Sequence, residues 1–90
     1  MPYVRMFQSA VDPSEVDQVR ALFDDDVKPV FASIDGCDWI ELLINVDLNA
    51  GGLVDGCAIS RWASLEQLEV ALESRPVIEA LVRVRALLRQ

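Results

Sequence analysis

The sequence predicts a two-layer α+β domain, in which helices cover one face of an antiparallel sheet. Segments of alternating polarity and segments of helical spacing follow one another as strand, helix, strand, strand, helix and one further element. The 90 residues suffice for one domain, taken as residues 1–90. Hydrophobic residues make up 52% of the chain, which is more than so small a domain buries alone. We therefore expect a second copy of the chain to cover the other sheet face.

The first strand is predicted over residues 3–10, where side chains alternate between two faces. Residues 12–15, Asp-Pro-Ser-Glu, are typical of a capped helix start. Apolar residues at helical spacing continue this helix, namely Val16, Val19, Phe23 and Val27. Pro29 lacks an amide proton, so we expect a break or kink there. A short second helical piece should follow and end at Gly36.

A hairpin is predicted in the middle of the chain. Its first strand covers residues 39–46, and one face of that strand is wholly apolar through Ile40, Leu42, Ile44 and Val46. Residues 47–55 are rich in Gly, Asn and Asp and are predicted to form the loop. Residues 56–63 return as an antiparallel strand.

A second helix is predicted over residues 64–73. Ser64 and Gln67 fit a capping box, with the Ser64 hydroxyl accepting from the Gln67 amide and the Gln67 side chain reaching back to the Ser64 amide. Pro76 ends this helix and can open the next element. Residues 77–88 fit a helix, but the alternation at residues 82–86 leaves a terminal strand as the alternative.

Composition excludes several classes of partner. The net charge of −7 argues against nucleic acid and anionic membranes. No apolar run approaches the roughly 18–20 residues of a membrane span, and no signal peptide is visible. A hairpin centred near Gly51 places Cys57 opposite about Asn45 and far from Cys37, so we expect two free thiols and a cytoplasmic location. The aspartates at residues 24–26 point about 100° apart on a helix, so no metal site is predicted.

Several segments together resemble a known family, the antibiotic biosynthesis monooxygenase-like domains of the dimeric α+β barrel group. They are the opening strand at residues 4–7, the helix start at residues 12–15, Gly36 before the hairpin, and residues 74–77 after the second helix. The most specific segment is residues 62–68, Trp-Ala-Ser-Leu-Glu-Gln-Leu. The resemblance implies a ferredoxin-like protomer and a homodimer joined through the open sheet face.

The chain departs from the family pattern in two ways. Family members usually have a fourth strand after the second helical region, and Gln90 lies about where that strand would start. Either the last element replaces the strand or the chain is shortened. The haem-degrading branch uses a histidine to ligate iron and an asparagine on the first strand. This chain has no histidine, and Met6, Phe7 and Gln8 occupy that neighbourhood, so haem degradation is not expected.

The quinone-forming branch of the family uses no metal and no flavin, so the resemblance implies no cofactor and a small aromatic ligand. Such a protein supplies a pocket, a donor that stabilises an oxyanion, and exclusion of water. Trp62 matches the family tryptophan and is the first catalytic candidate, as a pocket-lining indole donor; the alternative is that it fills the core. Asn45 is the second, as a donor to a substrate oxygen; the alternative is a solvated residue beside the loop.

Four residues are assigned to substrate binding: Arg5, Phe7, Phe23 and Arg61. The two arginines lie in strand interiors and suit an anionic substrate or a phenolate. The alternative is that each pairs with a carboxylate such as that of Glu41.

The leading functional hypothesis is a homodimeric, cofactor-independent monooxygenase acting on a small aromatic or polyketide-type molecule. The alternative is a non-catalytic dimeric module that binds a small ligand or serves as a structural unit. A lactone isomerase or dehydratase on the same fold stays open as well, because a fold does not determine its chemistry. The first and third of these hypotheses make the chain an enzyme, and the second does not.

Overall fold

The computed structural model describes residues 2–89 and has the predicted α+β architecture. Three antiparallel strands pair in the order β1-β3-β2. The strands are β1 (Tyr3–Val11), β2 (Cys37–Leu48) and β3 (Val54–Trp62). The helices are α1 (Val16–Leu22), α2 (Lys28–Ala32), α3 (Leu65–Glu73) and α4 (Arg75–Arg85). They pack on one face of the sheet and enclose the core with it, so the predicted fold class is confirmed.

Strand register separates the side chains into an inner face, toward the helices, and an open face. Ser60 lies between Arg5 and Ile40 in one row of the sheet, and this row points inward. The next row along the strands contains Met6 and Ile59 and points away from the helices. Successive residues of a strand point to opposite faces, so a single register determines both surfaces.

The helix does not break at Pro29, which was one of the two expectations. It continues through a π turn over Phe23–Val27 into α2, the short second helical piece that was predicted. The Lys28 amide donates to the Phe23 carbonyl, five residues back. Pro29 lies in the first turn of α2, where its missing amide proton costs little. Residues spaced by four drift about 40° per step around a regular α-helix. The wider π turn reduces this drift and keeps Phe23, Val27 and Phe31 together in the core.

The hairpin is longer than predicted, and its register differs. The pairing of β2 with β3 is irregular between Ile44 and Leu48, so Cys57 lies opposite Leu43 rather than Asn45. Val46 is 97% exposed and does not belong to the apolar face of β2. An irregularity of this kind breaks the two-residue alternation that the prediction assumed.

The Asn49 side chain closes the hairpin loop. Its carbonyl oxygen accepts from the Gly51 amide at 2.8 Å and the Leu53 amide at 3.0 Å, and its nitrogen donates to Asp55 at 3.0 Å. These bonds allow pairing to extend into much of the stretch predicted as loop.

The last element is helix α4, so the terminal-strand alternative is wrong. Val77 and Ala80 lie at helical spacing and are fully buried. Burial of this helical face favours a helix more than the short alternation at residues 82–86 favours a strand. Beyond α4, the Arg89 amide donates to the Ala10 carbonyl at 2.7 Å, at the end of β1. Within residues 2–89 the sheet therefore has three strands and no fourth. No helix in this part of the chain is long and apolar enough to cross a membrane.

The start of α3 forms half of the expected capping box. The Gln67 amide donates to the Ser64 hydroxyl at 3.2 Å, as predicted. The Gln67 side chain instead accepts from that hydroxyl, at 3.1 Å, and lies against Gly36. Gly36 has φ +92° and accepts the Ala63 amide at 2.8 Å, so it joins the start of β2 to the end of β3.

We expect Gly36→Ala to destabilise the fold more than Gly52→Ala. Both glycines have positive φ, so each substitution costs roughly 1–2 kcal/mol of backbone strain. A methyl group at Gly36 would also lie 2.5 Å from the Gln67 side chain, whereas one at Gly52 meets nothing within 4 Å. Urea unfolding of both variants measures the difference, and equal losses would contradict the packing of Gln67 on Gly36.

Candidate functional site

A cavity of about 50 Å³ lies between the inner face of the sheet and the helices. We call it the inner cavity. Its wall is mostly apolar and includes Phe23, Val27, Phe31, Ile40, Leu42, Leu81, Val84 and Leu88. The polar residues of the wall are Arg5, Ser9, Ser60 and Arg85. Within the described residues no acidic side chain lines the cavity, so its charge is wholly positive.

Two arginines lie near one aromatic ring at the inner cavity. The guanidinium carbon of Arg5, on β1, lies 5.5 Å from the centroid of the Phe7 ring, and that of Arg85, at the end of α4, lies 5.4 Å from it. Attraction of each cation to the ring offsets part of the repulsion between them. Burial, and then the charge of Arg85, lower the pKa of Arg5. We call Arg5 and Arg85 the arginine pair.

Ser60 is the buried polar residue of the inner cavity. Its hydroxyl accepts the indole N–H of Trp62 at 2.8 Å. Ser60 and Trp62 are two residues apart on β3, so both side chains point to the inner face. Trp62 is 0% exposed and packs edge-to-face on Phe31, with ring centroids 6.1 Å apart. The indole lies behind Ser60 and is not part of the cavity wall, so any contribution of Trp62 to chemistry would act through Ser60.

Asn45 and Arg61 lie away from the inner cavity. Asn45 is exposed on the hairpin, where its side-chain oxygen accepts the Asp47 amide at 2.9 Å. Arg61 points to the open face and pairs with Asp38 at 3.5 Å. Glu41, the carboxylate suggested as an arginine partner, pairs with Lys28 instead, also at 3.5 Å. The structure thus separates these two candidates from Arg5, Phe7 and Phe23, which it brings together.

Three polar wall residues were not among the sequence candidates: Ser9, Ser60 and Arg85. Ser60 could have been found from Trp62, because residues two apart on a strand share a face. Arg85 stands in the last turn of a helix, where a basic residue is expected simply for its interaction with the helix dipole. No local pattern distinguishes it from Arg83, which pairs with Asp26 at 3.1 Å.

The cysteines show no sign of a reactive thiol. Both Cys37 and Cys57 are free. Burial and the neighbouring Asp38 raise the pKa of the Cys37 thiol, which keeps it protonated at neutral pH. Among residues 2–89, no three side chains of His, Cys, Asp or Glu gather into a group that could hold a metal ion.

Several solved structures have the same fold. Rv0793 from Mycobacterium tuberculosis matches with a TM-score of 0.74 and 23% identity, covering 100% of this chain and 86% of that one. A protein described as an antibiotic biosynthesis monooxygenase matches with a TM-score of 0.72 and 20% identity, covering 100% of this chain and 88% of its own. SnoaB, a cofactor-independent oxygenase from Streptomyces nogalater, matches with a TM-score of 0.71 and 19% identity over 97% of this chain and 81% of its own.

These matches define the class of fold. The chain has the α+β, ferredoxin-like fold of the antibiotic biosynthesis monooxygenase domains, as the sequence resemblance implied. No family model matches the chain, and no curated protein matches it in sequence. The similarity of this chain to these proteins therefore rests on the backbone fold.

We expect Ser60→Ala to lower the free energy of unfolding by roughly 1–3 kcal/mol, because it leaves the buried Trp62 N–H without an acceptor. In a Trp62→Phe background the same substitution should cost much less, since phenylalanine has no N–H to satisfy. Urea unfolding of the four proteins of this double-mutant cycle measures the coupling. Ser33→Ala is the matched control, because its hydroxyl bonds only a backbone carbonyl at an exposed site. Additive losses in the cycle would contradict the coupling.

Proposed function

We propose that this chain is a homodimeric, cofactor-independent monooxygenase-like protein that oxidises a small aromatic or polyketide-type substrate in the inner cavity. The observation that supports this best is an apolar cavity whose only charged wall residues, among those described, are arginines. Such a site favours the anionic form of an electron-rich phenol and excludes water from it.

The proposed reaction needs only the substrate and dioxygen. A phenolic substrate with an activated CH₂ group loses one proton, and the resulting carbanion is stabilised as a phenolate. The carbanion transfers one electron to dioxygen, and the two radicals combine to a peroxide, which takes up a proton. The C–H and O–O bonds then break, leaving C=O on the substrate and releasing one water. Dioxygen is reduced, the substrate carbon is oxidised, and both hydrogens of the CH₂ group leave as water.

The protein's part in this reaction is electrostatic. Without an acidic or histidine side chain in the described wall, the cavity offers no strong general base. Arg5 would instead lower the pKa of the substrate phenol by favouring its anion, and Phe7 and Phe23 would pack against its ring. The Ser60 hydroxyl, which accepts from Trp62, keeps its own proton available for a substrate oxygen.

The volume of the inner cavity limits the substrate. The enclosed space is about 50 Å³, roughly a third of the ~150 Å³ that holds one benzene molecule in an engineered cavity. A ring must therefore displace wall side chains outward. Arg85 is exposed and Leu88 follows the end of α4, so both can move without disturbing the sheet. This favours a substrate with a single ring over one with several fused rings.

The homodimer is proposed from the open face of the sheet. Val4, Met6, Trp39 and Leu43 lie there with 42–58% of their surfaces exposed. Large apolar side chains grouped on one sheet face are typical of an interface rather than a solvated surface. A second copy packed sheet against sheet would bury them and form the dimeric barrel that the resemblance implies.

The second candidate function is a non-catalytic module that binds a small ligand. Two observations favour it: the Trp62 indole N–H is used by Ser60, and Asn45 lies outside the cavity. The cavity then has few polar groups to direct a reaction. It would still bind a ligand through its apolar wall and its arginines.

We expect oxygen uptake with a single-ring phenol that carries an activated CH₂ group, measured with an oxygen electrode. Arg5→Gln should lower the rate by about 10²–10³-fold, because it removes a donor that stabilises the anion. Arg75→Gln, at an exposed ion pair with Glu79 on the first turn of α4, is the control and should keep full activity. Thermal stabilisation by the same compounds without any oxygen uptake would exclude the oxygenase and leave the binding module.

We expect the protein to sediment with twice the mass of one chain at micromolar concentration. Leu43→Glu should shift it to the monomer, because a charge at the centre of the proposed interface would be buried without a partner. Val70→Glu, on an exposed surface of α3, should leave the dimer intact. A single-chain mass for the unaltered protein would refute the homodimer.

A further inference from the structure

We infer that the arginine pair and the Phe7 ring form an anchor for a carboxylate, and that the ligand of the inner cavity is a small organic carboxylate with at most one ring. This inference rests on the proposed function, because it uses the same cavity. It extends that function by naming the substrate class. Neither Arg85 nor a carboxylate is needed for the proposed oxidation itself.

Within the described residues, neither arginine of the pair has a carboxylate within 4.0 Å, although the chain is rich in acidic residues. The chain has 15 acidic and 8 basic residues. Five basic side chains of the described residues lie within 4.0 Å of a carboxylate: Lys28, Arg61, Arg75, Arg83 and Arg89. Arg5, Arg20 and Arg85 are not among them. Arg20 is exposed, whereas Arg5 is half-buried and lies near the same ring as Arg85. Cations placed together without an acid suit an anion from outside.

Both guanidinium groups lie within 5.5 Å of the centroid of the Phe7 ring, one on a side chain from β1 and one from the end of α4. They are therefore no further apart than the sum of these two distances. A guanidinium is planar and donates two parallel hydrogen bonds, which match the two oxygens of a carboxylate. A carboxylate close to both would offset their mutual repulsion, which a neutral hydroxyl cannot do. The same repulsion contributes to the lowered pKa of Arg5.

The wall of the inner cavity determines the rest of the ligand. With the carboxylate at Arg85, which is exposed, the anion stays near solvent and only the apolar body enters the cavity. This avoids the cost of burying a full charge in an apolar space. Ser60 is 2% exposed and can donate its hydroxyl proton to one further oxygen of the ligand. The small enclosed volume restricts the body to a short chain or one ring.

The test is a calorimetric titration of the intact protein with benzoate and, as the neutral isostere, benzamide. We expect benzoate to bind at least about 10-fold more tightly than benzamide, and its affinity to fall as the salt concentration rises. Arg85→Gln should weaken benzoate about 10-fold or more, with little effect on benzamide. Arg85 is exposed, so this variant should fold normally. Arg75→Gln removes an equal charge from the same helix and should leave both affinities unchanged.

Equal affinities for benzoate and benzamide would overturn the inference, and so would equal effects of Arg85→Gln and Arg75→Gln. Absence of binding by either compound would overturn it as well. The outcome is separable from that of the proposed oxidation, because the titration needs no turnover. Benzoate binding without oxygen uptake from any phenol supports the carboxylate anchor and refutes the oxygenase. Oxygen uptake from a neutral phenol, together with equal affinities for benzoate and benzamide, supports the oxygenase and refutes the carboxylate anchor.

Discussion

The bond from the Trp62 indole to the Ser60 hydroxyl connects the core of this protein to its cavity. It lies at the end of β3, the central strand, which pairs with both β1 and β2. The indole packs against Phe31 of α2, and this contact holds α2 against the sheet. Complete burial of so large a side chain contributes on the order of 3–5 kcal/mol, judged by truncation of core aromatics. Its polar nitrogen is satisfied in the interior only because Ser60 shares its face.

The inner cavity follows from this arrangement and from the turn between α1 and α2. The π turn directs Phe23, Val27 and Phe31 to one side, and these residues form much of the apolar wall. Small side chains on the facing strand, at Ala58 and Ser60, leave space opposite them. Larger residues there would fill it.

The helices and strands could be located from the sequence because each depends on neighbouring residues. Helix starts at Asp12 and Ser64 were recognised from side chains that accept hydrogen bonds from amides two or three residues ahead. The errors occurred where the chain departs from regular spacing. The π turn before Pro29 and the irregular pairing after Ile44 each change the geometry without a local signal strong enough to predict it.

The candidate site could be predicted only in part. Three predicted residues line one cavity: Arg5, Phe7 and Phe23. The alternation of side chains along β1 and the helical spacing before α2 point them inward. Asn45 was misplaced opposite Cys57 because the hairpin register was assumed to be regular. The proximity of Arg85 to Arg5 depends on how α4 crosses the sheet, which no short segment encodes.

The sequence by itself determined the α+β class, the element order, the caps and the two faces of each strand, since these follow from spacing and from contacts over a few residues. Only the tertiary structure decided which inward-facing residues share a space. It directed Trp62 into the core rather than the cavity. It also brought close to one ring two arginines that have no carboxylate partner among the described residues. The reason is physical: contacts between residues far apart in the chain depend on the packing of whole elements, and local patterns do not specify that packing.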